Sequence, residues 1–535
     1  MFMKNPAKLI FIASAMLLTI MTYVPARAQV SIVPQPQSVR LQRGSVSIPA
    51  SPRVYVDKKA RLPKGYLQGR FSDVGITATQ VSKPAEADIA ITLGKGSGQP
   101  EGYVIRTSAE GGPAVTAVAD DRNGALYSIE SILQLLKSDG GKLTAPVVTI
   151  TDWPQYHWRS FMLDVSRHFF TTDVVKTLID EMVRLKLNTF HWHLTDDPGW
   201  RMEIKGYPKL TGIGAQSDYD CMFKGPKEWA KHHQGPCYYT QKELKDVVNY
   251  CAERGIQVIP EIEVPGHCYA ATRAYPELLP NTPSAKDTSI YDVTTPAYDK
   301  FIRTVLTQVA KVFPSKIIHI GGDEANYSAW KNDPKIGEYM KAHGLKTYTD
   351  LQLYAINNIQ KFLARKGVKI IGWNEITGDN VHNEAGRAAN QAVKLDTSAI
   401  VQFWAGADTL IRKAIHEGYK VVNSDCLYTY LCWDWTLQKT YAFDPCPETL
   451  TEEEGRSILG SGSQMWGELI PKVKDLYHQV FPRLGALAEC GWTKRDNKNY
   501  ADFVRRIAPM EQLWKRKGYF TGQASYSPGI NEEKK

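Results

Sequence analysis

The chain has 535 residues, 43% hydrophobic and 23% charged, with a formal net charge of +9. That length exceeds one ordinary domain, and the composition is that of a folded globular protein, which excludes long disordered stretches. The positive excess is thinly spread, and no run of Lys and Arg is long enough to track a phosphate backbone, so nucleic acid is not an expected partner.

At the N-terminus, Lys4 and Lys8 precede an uncharged apolar run over residues 9–23, and then comes an A-x-A pattern ending at Ala28. The run is short of the roughly 20 residues a membrane span needs. It predicts a signal peptide over 1–28, cleaved after Ala28, with no membrane span in the mature chain. No Cys sits at the cleavage point, which argues against a lipoprotein. The expected location is the periplasm or the outside of a bacterial cell.

Residues 29–152 predict a small α+β domain. Short β-rich runs at 53–56, 89–93 and 102–107 alternate with Gly/Pro turns. A helix over 124–136 carries Leu126, Ile129, Ile132 and Leu135 on one face. This part holds no catalytic constellation, so it reads as a packing or positioning domain.

Residues 153–525 change pattern. Eight apolar strands are predicted, at 161–165, 189–194, 258–262, 317–320, 369–373, 400–404, 420–423 and 458–466. Amphipathic helices lie between them, marked by Val175, Leu178, Ile179 and Met182, and by Ile302, Val305, Leu306 and Val309. Thr240 and Glu243 form a capping box that opens a third, with Leu244, Val247, Val248 and Cys251 inward. Eight strand–helix units predict an α/β fold, a (β/α)8 barrel. A doubly wound sheet would show a glycine-rich loop after the first strand, and none is there. Residues 526–535 read as a polar tail.

In such a barrel the chemistry sits where strands end. The strand ends here carry Asp164 and Arg167; His191, His193, Asp196 and Asp197; Glu261, Glu263 and His267; His319, Asp323 and Glu324; Trp373 and Glu375; Trp404; and Trp466 with Glu468. Carboxylates bind hydroxyls and indoles stack on sugar faces, so the pattern predicts a carbohydrate ligand. Asp323 and Glu324 are neighbours, and neighbours on a strand end point apart. They cannot easily flank one scissile bond as the usual glycosidase pair does. They can address different parts of one substrate.

Three rival readings use the same residues. A metal-dependent hydrolase would use His191, His193, His267, His319 and Asp323, but the H-x-H of such enzymes usually ends the first strand, whereas this one ends the second. Separately, no CxxC is present, so structural zinc is improbable. A two-carboxylate β-glycosidase would pair Glu324 with Glu375 or Glu468. A non-catalytic sugar binder would keep the Trp walls but would not need both Asp323 and Glu324.

The motif H-I-G-G-D-E at 319–324 resembles that of family 20 glycoside hydrolases, the β-N-acetylhexosaminidases. MLDVSRHF at 162–169, HWHLTDD at 191–197, PGH at 265–267, GWNE at 372–375 and MWGE at 465–468 resemble the family's strand-end motifs in the same order. The N-terminal region is similar to the family's accessory domain. The resemblance implies an exo-acting retaining enzyme for terminal N-acetylhexosamine, assisted by the substrate's own acetamido group, with no cofactor and no metal. It implies Glu324 as general acid and base, with Asp323 orienting the acetamido group. Trp373, Trp404, Tyr430 and Trp466 would hold the acetamido group and sugar, Arg167 and Glu468 the ring hydroxyls, and Asp196 and His267 would stand behind Glu324. One departure is Cys432, which stands two residues after Tyr430 where the family commonly has an acid. The open alternatives are Asp434 in place of that acid, Tyr428 as the functional tyrosine, a region around O4 and O6 altered toward a substituted or sulfated sugar, and a disulfide from Cys432 to Cys446. Of the eight Cys, Cys221 and Cys237 are the best candidate pair, and Cys251 and Cys268 read as buried thiols. The sequence carries no signal of oligomeric state.

Overall fold

A computed structural model describes residues 30–216, 237–283, 289–379, 393–470 and 472–519. The expected leader, the polar tail and Cys221 lie outside these residues.

The first unit is a mixed sheet. Its strands are β1 (Ser38–Pro49), β2 (Arg53–Val56), β3 (Thr79–Gln80), β4 (Ile89–Leu93), β5 (Tyr103–Thr107), β6 (Val115–Ala119), β7 (Lys137–Asp139) and β8 (Lys142–Asp152). The order is β1-β8-β5-β6-β4-β2-β3, with β7 beside β8. The two long strands β1 and β8 pair antiparallel at one edge. The helix Arg122–Leu135 is buried almost all round, because it lies between this sheet and the barrel helix Thr172–Arg184. Buried ion pairs join the two units. Arg159 donates from Nη1 to Glu101 Oε2 at 2.9 Å, and Lys186 Nζ reaches Asp152 Oδ2 at 3.0 Å.

The second unit is a closed barrel of eight parallel strands. They are β9 (Trp158–Asp164), β10 (Thr189–His193), β11 (Gln257–Glu261), β12 (Ile317–His319), β13 (Lys369–Trp373), β14 (Ile400–Phe403), β15 (Lys420–Asn423) and β16 (Ile458–Met465), and β16 closes on β9. Each falls on a strand predicted from sequence. The Thr240 capping box forms, with Glu243 returning a carboxylate to the Thr240 N–H at 2.8 Å. A register shift interrupts β15 and β16 between Val421 and Val422. Facing it is Gly460 at φ +148°, where a Cβ would stand 1.9 Å from the Trp158 carbonyl.

The suggested Cys432–Cys446 bridge is not formed, and both residues are thiols. Cys432 is buried on the cleft described below, whereas the Cys446 sulfur packs toward Gly455. Cys251 and Cys268 are buried thiols, as expected.

Candidate active site

Strand register builds the floor of the site. Asp164 is level with His193, His193 with Glu261, and Glu261 with His319. His191 and His193 are two residues apart on one strand, so both face the same side. Glu261 is fully buried and accepts the Trp373 indole N–H at 2.9 Å. Its oxygens lie 2.8 Å from His191 Nε2, 2.8 Å from His319 Nδ1 and 2.5 Å from His193 Nδ1. Burial opposes its charge, but the imidazoles of His319, His193 and His191 hold the carboxyl well below the usual range. His193 pays the same burial penalty, yet Glu261 and Asp196 push it up to about 10, while burial pushes His191 down to about 4. The floor is therefore a charge-matched Glu261–His193 pair with a neutral His191 beside it.

The G-G of the H-I-G-G-D-E run turns the chain out of β12. Gly321 has φ +65° and Gly322 +97°. A Cβ on Gly321 would stand 1.7 Å from Glu263 Oε2, and one on Gly322 would stand 2.6 Å from Ile376 Cγ2. Only glycine fits at either position. The turn delivers Asp323 and Glu324 to a cleft of about 410 Å³. Glu324 itself has φ +44°, and His267, facing it, has φ +49°. Such left-handed backbone at non-glycine residues costs about 1–3 kcal/mol each and gathers at functional sites.

Asp323, Glu324, His267, Arg167 and Glu468 form the polar side of the cleft, and Trp404, Tyr430 and Trp466 form its aromatic side. Trp404 and Tyr430 lie near-parallel, at 11° with centroids 6.2 Å apart, and the Arg167 guanidinium sits 5.0 Å above the Trp466 ring. Arg167 is tied to Asp196 at 2.7 Å and Asp164 at 3.2 Å, and reaches toward Glu468 at 3.7 Å. His267 Nε2 lies 3.5 Å from Glu324 Oε2 and 3.7 Å from Asp323 Oδ2. Its Nδ1 faces Asp196 Oδ1 at 3.4 Å and Asp197 Oδ2 at 3.5 Å.

Charge follows from this packing. Burial opposes ionisation of Asp196, yet Arg167 and His267 hold its carboxyl well below the usual range. Burial likewise opposes a charged His267, yet Asp196 above all holds the imidazole well above its ordinary value. Burial pushes Asp323 up to about 7; His267 pulls the other way and Glu324 adds to the rise. Burial raises Glu468 and keeps the Tyr430 phenol protonated well above its ordinary range.

Eight of the ten predicted site residues thus line one cleft, and Asp196 stands directly behind it. Trp373 belongs to the floor. It is 1% exposed, its N–H is committed to Glu261, and its ring is 5.7 Å from Trp466. Tyr430 faces the cleft, whereas Tyr428 packs on Phe443 at 6.1 Å, and Asp434 is not part of the lining. Cys432 does line it, together with Cys426, Ala405, Trp433 and Leu469, which the sequence reading did not single out. Each of these flanks, or lies close in sequence to, a predicted residue, and that adjacency was the only signal available. Glu263, also unassigned, is buried beneath Gly321. Burial and the charge of Asp323 hold it well above the usual carboxylate range.

Among the described residues, four groupings bring imidazole and carboxylate ligand atoms within 4.8 Å of one another: His191–Glu261–His319, His193–Asp196–Glu263, Asp196–Asp197–His267 and His267–Asp323–Glu324. These are the places where a cation would fit. In the first two, Glu261 and His193 already balance each other's charge.

Known proteins resemble both units. A family model described as "Glycosyl hydrolase family 20, catalytic domain" matches residues 156–495, and one described as "Glycosyl hydrolase family 20, domain 2" matches residues 29–153. The chain is 35% identical over 450 residues to a beta-hexosaminidase of Porphyromonas gingivalis, covering 78% of this chain and 54% of that protein. It is 34% identical over 397 residues to a beta-hexosaminidase of Vibrio furnissii, covering 70% of this chain and 62% of that one. The chain therefore spans less than two thirds of the length of these two relatives. A solved exo β-N-acetylglucosaminidase of Vibrio harveyi, in complex with N-acetylglucosamine, superposes with a TM-score of 0.80 at 27% identity, covering 93% of this chain and 79% of that one. A β-N-acetylhexosaminidase of Bacteroides fragilis superposes with a TM-score of 0.77 at 29% identity, covering 93% and 99%. With its strand-end acids and aromatics on a closed barrel behind a mixed sheet, the chain belongs to glycosyl hydrolase family 20.

Proposed function

We propose that the chain is an exo-acting, retaining β-N-acetylhexosaminidase. It removes terminal non-reducing GlcNAc or GalNAc from glycans, and the substrate's acetamido oxygen is its nucleophile. The observation that carries this is the state of the other carboxyls. A conventional retaining site needs a second carboxylate facing the acid across the scissile bond. Glu468 stands beside Arg167, and Glu375 is buried and accepts the Trp404 indole N–H at 3.0 Å. Both carboxyls are engaged with other groups, whereas Asp323 is the immediate neighbour of Glu324 on the cleft, which supports the reading.

In this reading Glu324 gives its proton to the leaving oxygen while the acetamido carbonyl oxygen bonds to C1. Asp323 accepts a hydrogen bond from the acetamido N–H and stabilises the positive charge of the oxazolinium ion. The neutral Tyr430 phenol donates to the acetamido oxygen. Trp404 and Trp466 wall the pocket above Trp373, and Arg167 with Glu468 holds ring hydroxyls. Glu324 then takes a proton from the water that opens the ring, and the β configuration returns. Asp196 and His267 set the charge around Glu324. The leader predicted over 1–28 places the enzyme outside the cytoplasm, where terminal sugars of glycans are met. Time-resolved proton NMR of hydrolysis tests the stereochemistry: the β-anomer should be released first, and first release of the α-anomer would overturn the substrate-assisted reading.

A further inference from the structure

The short turn Asn374–Thr377 follows β13 directly and ends at Gly378, whose φ is +84°. The Thr377 hydroxyl donates to the Asn374 carbonyl at 2.7 Å, which ties the turn together. Two consecutive side chains of this turn reach the end of the next strand. Asn374 Oδ1 accepts the Trp404 backbone N–H at 3.0 Å, and Asn374 Nδ2 donates to the Ala405 carbonyl at 3.2 Å. Glu375 Oε2 accepts the Trp404 indole N–H at 3.0 Å. The first contacts fix where the strand ends, and the last fixes the plane of the ring. That ring is the one lying near-parallel to Tyr430 on the cleft wall.

Glu375 does not itself line the cleft. It is 4% exposed, and its other oxygen, Oε1, is buried with no hydrogen-bond partner. An ionised carboxylate so placed would be heavily penalised, whereas a neutral acid accepting at one oxygen is penalised far less. Burial, then the charge of Asp323, pushes it up to about 8, which agrees with the geometry.

We propose that Glu375 is a positioning residue: through the Trp404 indole N–H it sets the wall against which the N-acyl group of the sugar packs, and so sets which acyl groups are accepted. This rests on the hexosaminidase reading above. Glutamine has the same shape, and its carbonyl can accept the same indole proton. Aspartate keeps the carboxyl but is one methylene too short to reach.

The test uses the full chain and 4-nitrophenyl β-glucosaminides carrying N-acetyl, N-propanoyl and N-butanoyl groups. KM and kcat are measured for wild type, Glu375→Gln, Glu375→Asp, Glu375→Ala, Trp404→Phe and the Glu375→Ala/Trp404→Phe double variant. The preference for N-acetyl over N-butanoyl is expected to fall by about tenfold in Glu375→Asp, Glu375→Ala and Trp404→Phe, chiefly through KM. Glu375→Gln should keep the wild-type preference, and the double variant should be no worse than the worse single one. If Glu375→Ala does not fold, Glu375→Asp and Trp404→Phe carry the comparison. The proposal is overturned if Glu375→Gln loses kcat while acyl preference stays fixed, because Glu375 would then take part in the chemistry. It is overturned equally if Trp404→Phe and Glu375→Asp leave the preference unchanged. Failure of the underlying reading shows separately, as a wild-type enzyme that does not cleave the N-acetyl substrate.

Discussion

His267 stands 3.5 Å from Glu324, Nε2 to Oε2. The other face of the same ring meets Asp196 at 3.4 Å, so the imidazole joins a cleft-facing acid to a fully buried carboxylate. Asp196 is the main reason the imidazole keeps its proton despite burial. Replacing Asp196 with Asn removes that anion, so the imidazolium of His267, which faces the cleft acids, gives up its proton more easily. The alkaline limb of kcat/KM is expected to move to lower pH in Asp196→Asn, by a unit or so at about 1.4 kcal/mol per unit. A pH–rate profile of the two proteins checks this; coincident alkaline limbs would contradict it.

Glu324 as proton donor predicts a dependence on the leaving group. General acid catalysis contributes about 10²- to 10⁴-fold. Glu324→Gln should lose about that much on an N-acetyl-glucosaminide with an alcohol leaving group, and far less on a dinitrophenyl one that departs without a proton. Steady-state rates on the two substrates decide, and equal losses would remove Glu324 from the acid role.

Arg159 and Glu101 join the sheet unit to the barrel in a place water barely reaches. Removing one member of a buried pair strands the other and costs about 3–5 kcal/mol. Arg159→Met is therefore expected to lower stability at pH 7 by about that amount. The sign with pH is fixed by Glu101, whose carboxyl Arg159 holds well below its ordinary value of 4.5, against burial. A depressed carboxyl stabilises fully above its unfolded value and loses that contribution as pH falls. The gap between wild type and Arg159→Met should thus narrow below pH 4.5. Urea unfolding at pH 7 and in mild acid measures both.

The barrel was legible because most strands are short apolar runs, seven of the eight leading into an acid, His or Trp, and the intervening helices show the 3.6-residue period. The Thr240–Glu243 cap was equally plain. The outer sheet was less so. Its long edge pair, Ser38–Pro49 with Lys142–Asp152, joins segments about 100 residues apart, and alternation within each strand says nothing of its partner. Within the site, residue identity gave away the strand-end groups but not their depth. Trp373 reads in sequence like Trp404 and Trp466, yet its bond to Glu261 draws it into the floor. The suggested Cys432–Cys446 bridge failed because proximity in sequence does not set where two sulfurs point.

Cys432 lines the cleft near Glu468, and burial, then that carboxylate, holds the thiol protonated. Cys432→Asp would put a second acid beside Glu468. It should repel an anionic sugar, so 6-sulfo-GlcNAc is expected to lose about tenfold more rate than GlcNAc. The balance between GlcNAc and GalNAc should shift as well, because a new acceptor meets the outer hydroxyls. Rates across the three sugars check this, and an unchanged ranking would remove Cys432 from specificity.

The central claim is that Asp323 and Glu324 work with an acetamido group and without a metal. The direct measurement is nitrophenol release from the β-glycosides of GlcNAc, GalNAc and glucose, with and without EDTA. Cleavage confined to the two acetamido sugars and unaffected by EDTA is the result predicted. Equal cleavage of the glucoside would contradict substrate assistance in favour of two carboxylates, and loss of activity in EDTA would place a cation in one of the imidazole–carboxylate groupings instead.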